Sequence, residues 1–68
     1  MNYKEKYYEN AMSILKNYKK QQDIFKVIWN KENYKEAYIF VNDFIKKNNI
    51  IVSEEYKKAD ENMYWLLR

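Results

Sequence analysis

No glycine and no proline occurs anywhere in the 68 residues. These two residues are the strongest local punctuation a chain has: proline ends helices, and glycine supplies the positive φ that many turns and caps require. A chain without either must end its helices with weaker signals, and here the turns fall to Asn, Ser and Asp. The apolar residues repeat with a helical period over most of the length, and a nearly all-helical chain is the one least in need of the missing pair. Part of the absence is mutational. Phe, Tyr, Met, Ile, Asn and Lys, all with AT-rich codons, make up well over half of the chain, while residues with GC-rich codons are almost missing. A strongly AT-rich genome thus accounts for much of the Lys, Asn and Tyr excess.

Tyr7, Ala11, Ile14, Tyr18, Phe25 and Ile28 recur at spacings of four and three, with Gln21 at the one missing step. Tyr8, Leu15 and Trp29 widen this stripe, and its unbroken phase predicts one long helix over about residues 3–29. The alternative is a break at Lys19–Gln22, with Asp23 capping a second, shorter helix and four helices in all. Asn30 to Asn33 reads as a turn, with Asn33 as N-cap and Glu36 placed to reach back as in a capping box. Tyr34, Ala37, Tyr38, Val41, Phe44 and Ile45 mark the next helix, which ends near Asn48-Asn49, where Asn tolerates the left-handed conformation. Ser53 then caps a last helix, with Glu54 and Glu55 favourably placed in its first turn. Tyr56, Ala59, Met63, Leu66 and Leu67 form its apolar stripe. A weaker competing reading makes Phe25, Val27 and Trp29 an alternating strand and Asn48-Asn49 a hairpin turn. The expected fold is therefore all-α: one domain over residues 1–68, a small three-helix bundle (four in the alternative) with a long N-terminal helix.

Two features predict self-association. A first helix of roughly 26 residues would span about 39 Å, whereas the later helices would span only about 22 Å, leaving part of its stripe uncovered. In addition, each helix carries apolar residues off its stripe. At about 100° per residue, Ile24 and Val27 fall opposite the main stripe, Ile39 falls opposite Val41 with Phe40 on the flank, and Trp65 falls about 200° from Met63. Large apolar side chains at such positions are the usual anchors of protein interfaces, so Ile24, Val27, Ile39, Phe40 and Trp65 are the candidate partner-binding residues.

Chemistry is scarce by comparison. The chain has no Cys and no His, so it lacks a thiolate nucleophile, a Cys-ligated zinc, the commonest general base and the commonest transition-metal ligand. Ser13 and Ser53 have no His partner. Glu54-Glu55 and Asp60-Glu61 are adjacent carboxylates, which point about 100° apart on a helix and do not face each other. No enzymatic activity, cofactor or metal is expected. Net charge is +3, but the signs are interleaved, as in Lys4-Glu5-Lys6 and Lys35-Glu36, rather than gathered on one face. Lys46, Lys47, Lys57 and Lys58 are the phosphate-contacting residues of an alternative, DNA-binding reading. Against it, Glu54-Glu55 opens the last helix where a recognition helix would meet phosphate. No stretch approaches the roughly 18 apolar residues of a membrane span, and the N-terminus lacks a signal-peptide core, so a cytoplasmic location is expected.

The composition and size thus favour a small intracellular interaction protein that occludes a surface of a larger partner. Accessory regulators or inhibitors of phages and mobile elements, including anti-defence proteins, are of this size and class, an analogy that rests on no motif. A homo-oligomer, a dimer, is expected beside it, with a purely structural homo-oligomer as a further alternative.

Overall fold

The computed structural model describes residues 2–67 and forms four helices there: α1 (Tyr3–Ile14), α2 (Lys19–Asn30), α3 (Tyr34–Lys47) and α4 (Glu54–Leu66). No strand occurs among the described residues, so the hairpin reading of Phe25–Trp29 and Asn48-Asn49 is set aside. Phe25 and Trp29 lie in one helix instead.

Helix starts follow local chemistry where the sequence offers an oxygen. Asn2 Oδ1 accepts from the backbone N–H of Lys4 at 3.1 Å and of Glu5 at 3.3 Å, capping α1. Ser53 Oγ accepts from the Tyr56 N–H at 3.2 Å, capping α4 as expected. Asn33 is the N-cap of α3, but no capping box closes. Its side-chain amide donates to Glu36 Oε2 at 3.3 Å, a side-chain pair in place of bonds to the free backbone donors.

Helix ends show how a chain without glycine stops. After α2, the Glu32 N–H donates to the Trp29 carbonyl at 2.9 Å and the Asn33 N–H to the Ile28 carbonyl at 3.3 Å. After α3, the Asn49 N–H donates to Lys46 O at 3.4 Å and the Ile50 N–H to Ile45 O at 3.1 Å. Both are Schellman closures, which require one left-handed residue. Asn49, at φ 51°, is the residue type expected there, whereas Glu32, at φ 60°, is not. A side chain with a Cβ in this region costs on the order of 1–2 kcal/mol, least for Asn.

The long N-terminal helix does not form. Residues 15–18 are a turn closed by the Tyr18 N–H on Leu15 O at 2.9 Å, and α2 begins at Lys19. Asp23 caps nothing: the N-cap is Tyr18, without a side-chain bond, and Asp23 lies exposed inside α2. The physical reason is tertiary. Folding α2 back on α1 brings Tyr8 to 5.6 Å from Phe25 and 5.2 Å from Trp29 between ring centroids, contacts a continuous helix cannot make. Tyr18, at the corner, sets its ring edge-on to Phe44 of α3 at 4.8 Å. The molecule measures 27 × 27 × 18 Å, shorter than the span of about 39 Å required by 26 helical residues. The uncovered stripe inferred from that length, and with it one of the two reasons to expect self-association, therefore falls away.

The helices pack chiefly as α1 on α4 and α2 on α3. Tyr7, Ala11 and Leu15 from the first, Phe25 from the second, Ala37 and Val41 from the third, and Tyr56, Ala59 and Met63 from the fourth form the buried core. Leu66, expected in that stripe, is half exposed at the end of α4. Tyr7 is the residue that joins all four helices. Its ring stacks on Trp29 of α2 at 6.1 Å, and lies 6.0 Å from Tyr38 of α3 and 5.8 Å from Tyr56 of α4.

Glu32 offers a direct test of the αL closure. Replacing Glu32 with Gly should stabilise the fold by about 1 kcal/mol, or about 4–8 °C in Tm for a domain this small, read by thermal unfolding in dilute solution. The β-branched Glu32→Val should lower it.

Candidate protein-interaction surface

What holds α3 and α4 in register is a chain of polar groups that starts in the core. Tyr56 O–H donates to Asn42 Oδ1 at 3.3 Å, and Asn42 Nδ2 donates to Asp60 Oδ1 at 3.0 Å. The Tyr7 and Tyr56 hydroxyls lie 3.4 Å apart. A phenol has one proton to give, and that of Tyr56 goes to Asn42, so Tyr7 donates to Tyr56. The chain runs one way, from buried α1 through α4 and α3 to a carboxylate at the surface. Its O–H bonds are long and individually weak, but they satisfy two hydroxyls that would otherwise be stranded in an apolar core.

Burial pushes the Tyr7 phenol far above its ordinary range, and the adjacent Tyr56 phenol adds to the shift. Burial raises Tyr56 as well, partly offset by the hydrogen bond it receives from Tyr7. Tyr38 is raised by burial first and then by the Asp60 carboxylate beside it.

With α3 fixed in this way, its outer face is left uncovered. Ile39 stands on it 49% exposed and lines three grooves, one of them with Asn42, Asp43, Lys46 and Asp60. The groove on one side, about 420 Å³, runs past Phe40 to Ile28 of α2, with Lys35, Glu36 and Asp43 around it. The groove on the other side, about 260 Å³, is lined by Tyr38, Tyr64 and Leu67. Tyr64 carries the apolar surface on to Trp65, whose ring meets it edge-on at 5.5 Å and is 62% exposed. Ile39 and Trp65, read from the sequence as off-stripe residues, are thus linked through Tyr64. Sequence reasoning passed over Tyr64 because it lies beside the α4 stripe and not opposite it.

The other candidates are placed differently. Phe40 is half-buried and packs against the core while lining the first groove. Ile24 and Val27 are exposed on an edge of α2, Val27 at 54%, and neither lines the Ile39 grooves. Ile51, in the α3–α4 loop, is 96% exposed. The apolar run Ile50-Ile51-Val52 was visible in the sequence but had no helical phase to show which member faced out.

The four lysines of the DNA-binding alternative are all exposed, and three of them lie near carboxylates. Lys57 Nζ lies 3.9 Å from Glu54, Lys58 shares a hollow of about 200 Å³ with Glu55 and Tyr3, and Lys46 lines another with Asp43 and Asp60. Lys46 and Lys47 occupy the last turn of α3, where positive charge suits the helix dipole. Among the described residues, no three Asp or Glu side chains converge as a metal site would need, and no helix is long and apolar enough to cross a membrane.

Compared with known proteins, the chain matches no family model, no curated protein and no solved structure.

The raised phenols predict an alkaline limb. In the unfolded chain tyrosine loses its proton near pH 10, whereas folded Tyr7 and Tyr56 keep theirs to higher pH. Their contribution is complete below about pH 10 and is lost as the pH rises above it, by up to about 1.4 kcal/mol per pH unit for each phenol. Urea midpoints measured from pH 8 upward should fall beyond about pH 10, and Tyr7→Phe should make that fall shallower.

Proposed function

We propose that the chain is a small cytoplasmic protein–protein interaction module that acts by covering a surface of a larger protein, in the manner of an accessory inhibitor. The observation that carries this reading is Trp65. It lies outside the buried core, on the outer face of α4, and is 62% exposed beside Tyr64. Tryptophan is the residue most enriched among interface hot spots, and an exposed aromatic pair ringed by charge is the anatomy of a docking patch. Glu54, Lys58 and Glu61 share the outer face of α4 with Trp65, at about 100° per residue, and supply such a rim.

Occlusion needs no catalytic group, in keeping with a chain without His or Cys. Its energy would come from burying Trp65 and its neighbours, with the charged rim setting register and partner choice.

Affinity purification from the native host, run in parallel with wild-type protein and Trp65→Ala, tests the reading. A specific co-purifying protein should be lost with Trp65→Ala, by at least about 30-fold in affinity, the effect of a hot-spot residue. Helical circular dichroism and Tm should stay within the small range of a surface substitution. Loss of helicity on Trp65→Ala would make Trp65 part of the fold and contradict the reading. So would recovery of nucleic acid alone, with binding that falls steeply as salt is raised.

A further inference from the structure

We infer that the turn at residues 15–18 is a hinge that straightens, so that two copies exchange their first helices in a domain-swapped dimer. Each α1 then packs on α2, α3 and α4 of the second copy, and each core is completed by Tyr7 of the other chain. Trp65 plays no part in it. Of the three connections between helices, this one alone has no left-handed residue, whereas Glu32 and Asn49 close the other two. The apolar stripe from Tyr7 to Ile28 keeps one phase across the turn, so a single helix over residues 3–29 would present one continuous apolar face.

The bend leaves two helix ends with little to satisfy them. α2 starts at Tyr18 without a side-chain cap and has no acidic residue in its first turn. Lys19 and Lys20 stand there instead, against the helix dipole. α1 ends with no basic residue in its last turn. Straightening removes both ends, together with their unpaired backbone donors and acceptors. The backbone bonds through the turn are already close to helical. The Leu15 N–H donates to Ala11 O at 3.0 Å, the Lys16 N–H to Ser13 O at 3.3 Å and the Tyr18 N–H to Leu15 O at 2.9 Å. A single chain cannot take this gain, because it would pull Tyr7 and Tyr8 away from Trp29 and Phe25.

A second copy removes the conflict. Tyr8 meets Phe25 and Tyr7 meets Trp29, and each pair stands about equally far to either side of residues 16–18. Two straight helices laid antiparallel about a two-fold axis at those residues bring the same pairs together, now between chains. All four rings lie on the one stripe, so the faces match as well as the register. Around such a helix Ile14 and Leu15 stand within about 60° of Tyr18, and these three face the second copy near the axis. Lys16, Lys19 and Lys20 are turned about 100° or more from Tyr18, clear of the seam. Exchange of identical elements reuses contacts the monomer already makes, and a short hinge invites it. Tyr18, edge-on to Phe44 at 4.8 Å, opposes the opening and keeps the hinge bent in dilute solution.

Sedimentation velocity of the full chain tests the exchange, after warming at about 1 mM to the unfolding midpoint and slow cooling. A dimer should form that persists on dilution to about 10 µM and reverts only on rewarming, since α1 must leave its core to exchange. Lys16 and Asn17 are exposed, so the hinge can be altered without touching the core. Lys16→Gly/Asn17→Gly should shift the equilibrium at least about tenfold toward monomer, and Lys16→Ala/Asn17→Ala at least about threefold toward dimer, following helix propensity. Circular dichroism checks that every variant is helical. Met12 and Gln22 line one hollow between α1 and α2, and the chain has no thiol of its own. Met12→Cys/Gln22→Cys, oxidised while monomeric, should stay monomeric through the same treatment; oxidised after it, the chain should run as a covalent dimer. A wild-type chain that stays monomeric throughout overturns the inference. So does a dimer indifferent to the hinge substitutions, or one that the internally bridged chain also forms, since the copies then meet through another surface. Trp65→Ala should leave the exchange unchanged, and loss of the dimer with it would overturn the inference too. The larger-partner reading is judged by its own co-purifying protein, so either can fail without the other.

Discussion

The Tyr7 ring is the contact on which the rest of the structure depends. It reaches α2 through Trp29, α3 through Tyr38 and α4 through Tyr56. The helices otherwise pack chiefly as two pairs, α1 with α4 and α2 with α3. The core is small, and three of its nine buried residues are alanines. A domain of this size has a stability of only several kcal/mol, and burying a large side chain contributes about 1.5–3 kcal/mol of it. The Tyr7 hydroxyl does a second job, since it begins the polar chain that ends at Asp60 and sets α4 against α3. Burial of one residue therefore contributes both to the packing and to the orientation of the exposed face of α3 and α4.

Much of this was legible because helical phase and capping chemistry are local. The Tyr34–Lys47 and Glu54–Leu66 helices follow from their apolar repeats, from Ser53, and from an Asn at the left-handed position after α3. The failures are all long-range. The stripe from Tyr7 to Ile28 keeps its phase across residues 15–18, yet the chain folds back there, because Tyr8, Phe25 and Trp29 gain more from each other than a continuous helix gains from one more turn. Phase shows which side of a helix is apolar and not whether the helix is whole. Glu32 carries no sign that it must turn left-handed; it does so because α2 and α3 must join in three residues. Asn42 and Asp60 look like ordinary surface polars, and only the fold sets them at 3.0 Å.

The candidate surface was partly readable for the same reason. Ile39 and Trp65 stand out as apolar residues opposite their own stripes, and both are exposed in the fold. Phe40 was harder to place, since a flanking position belongs to the core or to the surface according to where the neighbouring helix lies. That Ile39 and Trp65 sit on one continuous face depends on Tyr64, and so on the angle that the Tyr56–Asn42–Asp60 chain sets between α3 and α4. On the proposed reading, Trp65 remains outward for a larger protein.

The central claim is that aromatic contacts with Tyr7 and Tyr8 fold the N-terminal half back on itself and so create this arrangement. Nuclear Overhauser spectroscopy of the aromatic side chains, with backbone chemical shifts of residues 3–30, tests it most directly. The account predicts cross-peaks from the Tyr7 and Tyr8 rings to the Trp29 indole, and non-helical shifts confined to residues 15–18. Helical shifts running unbroken from residue 3 to residue 29, with no such cross-peaks, would contradict it.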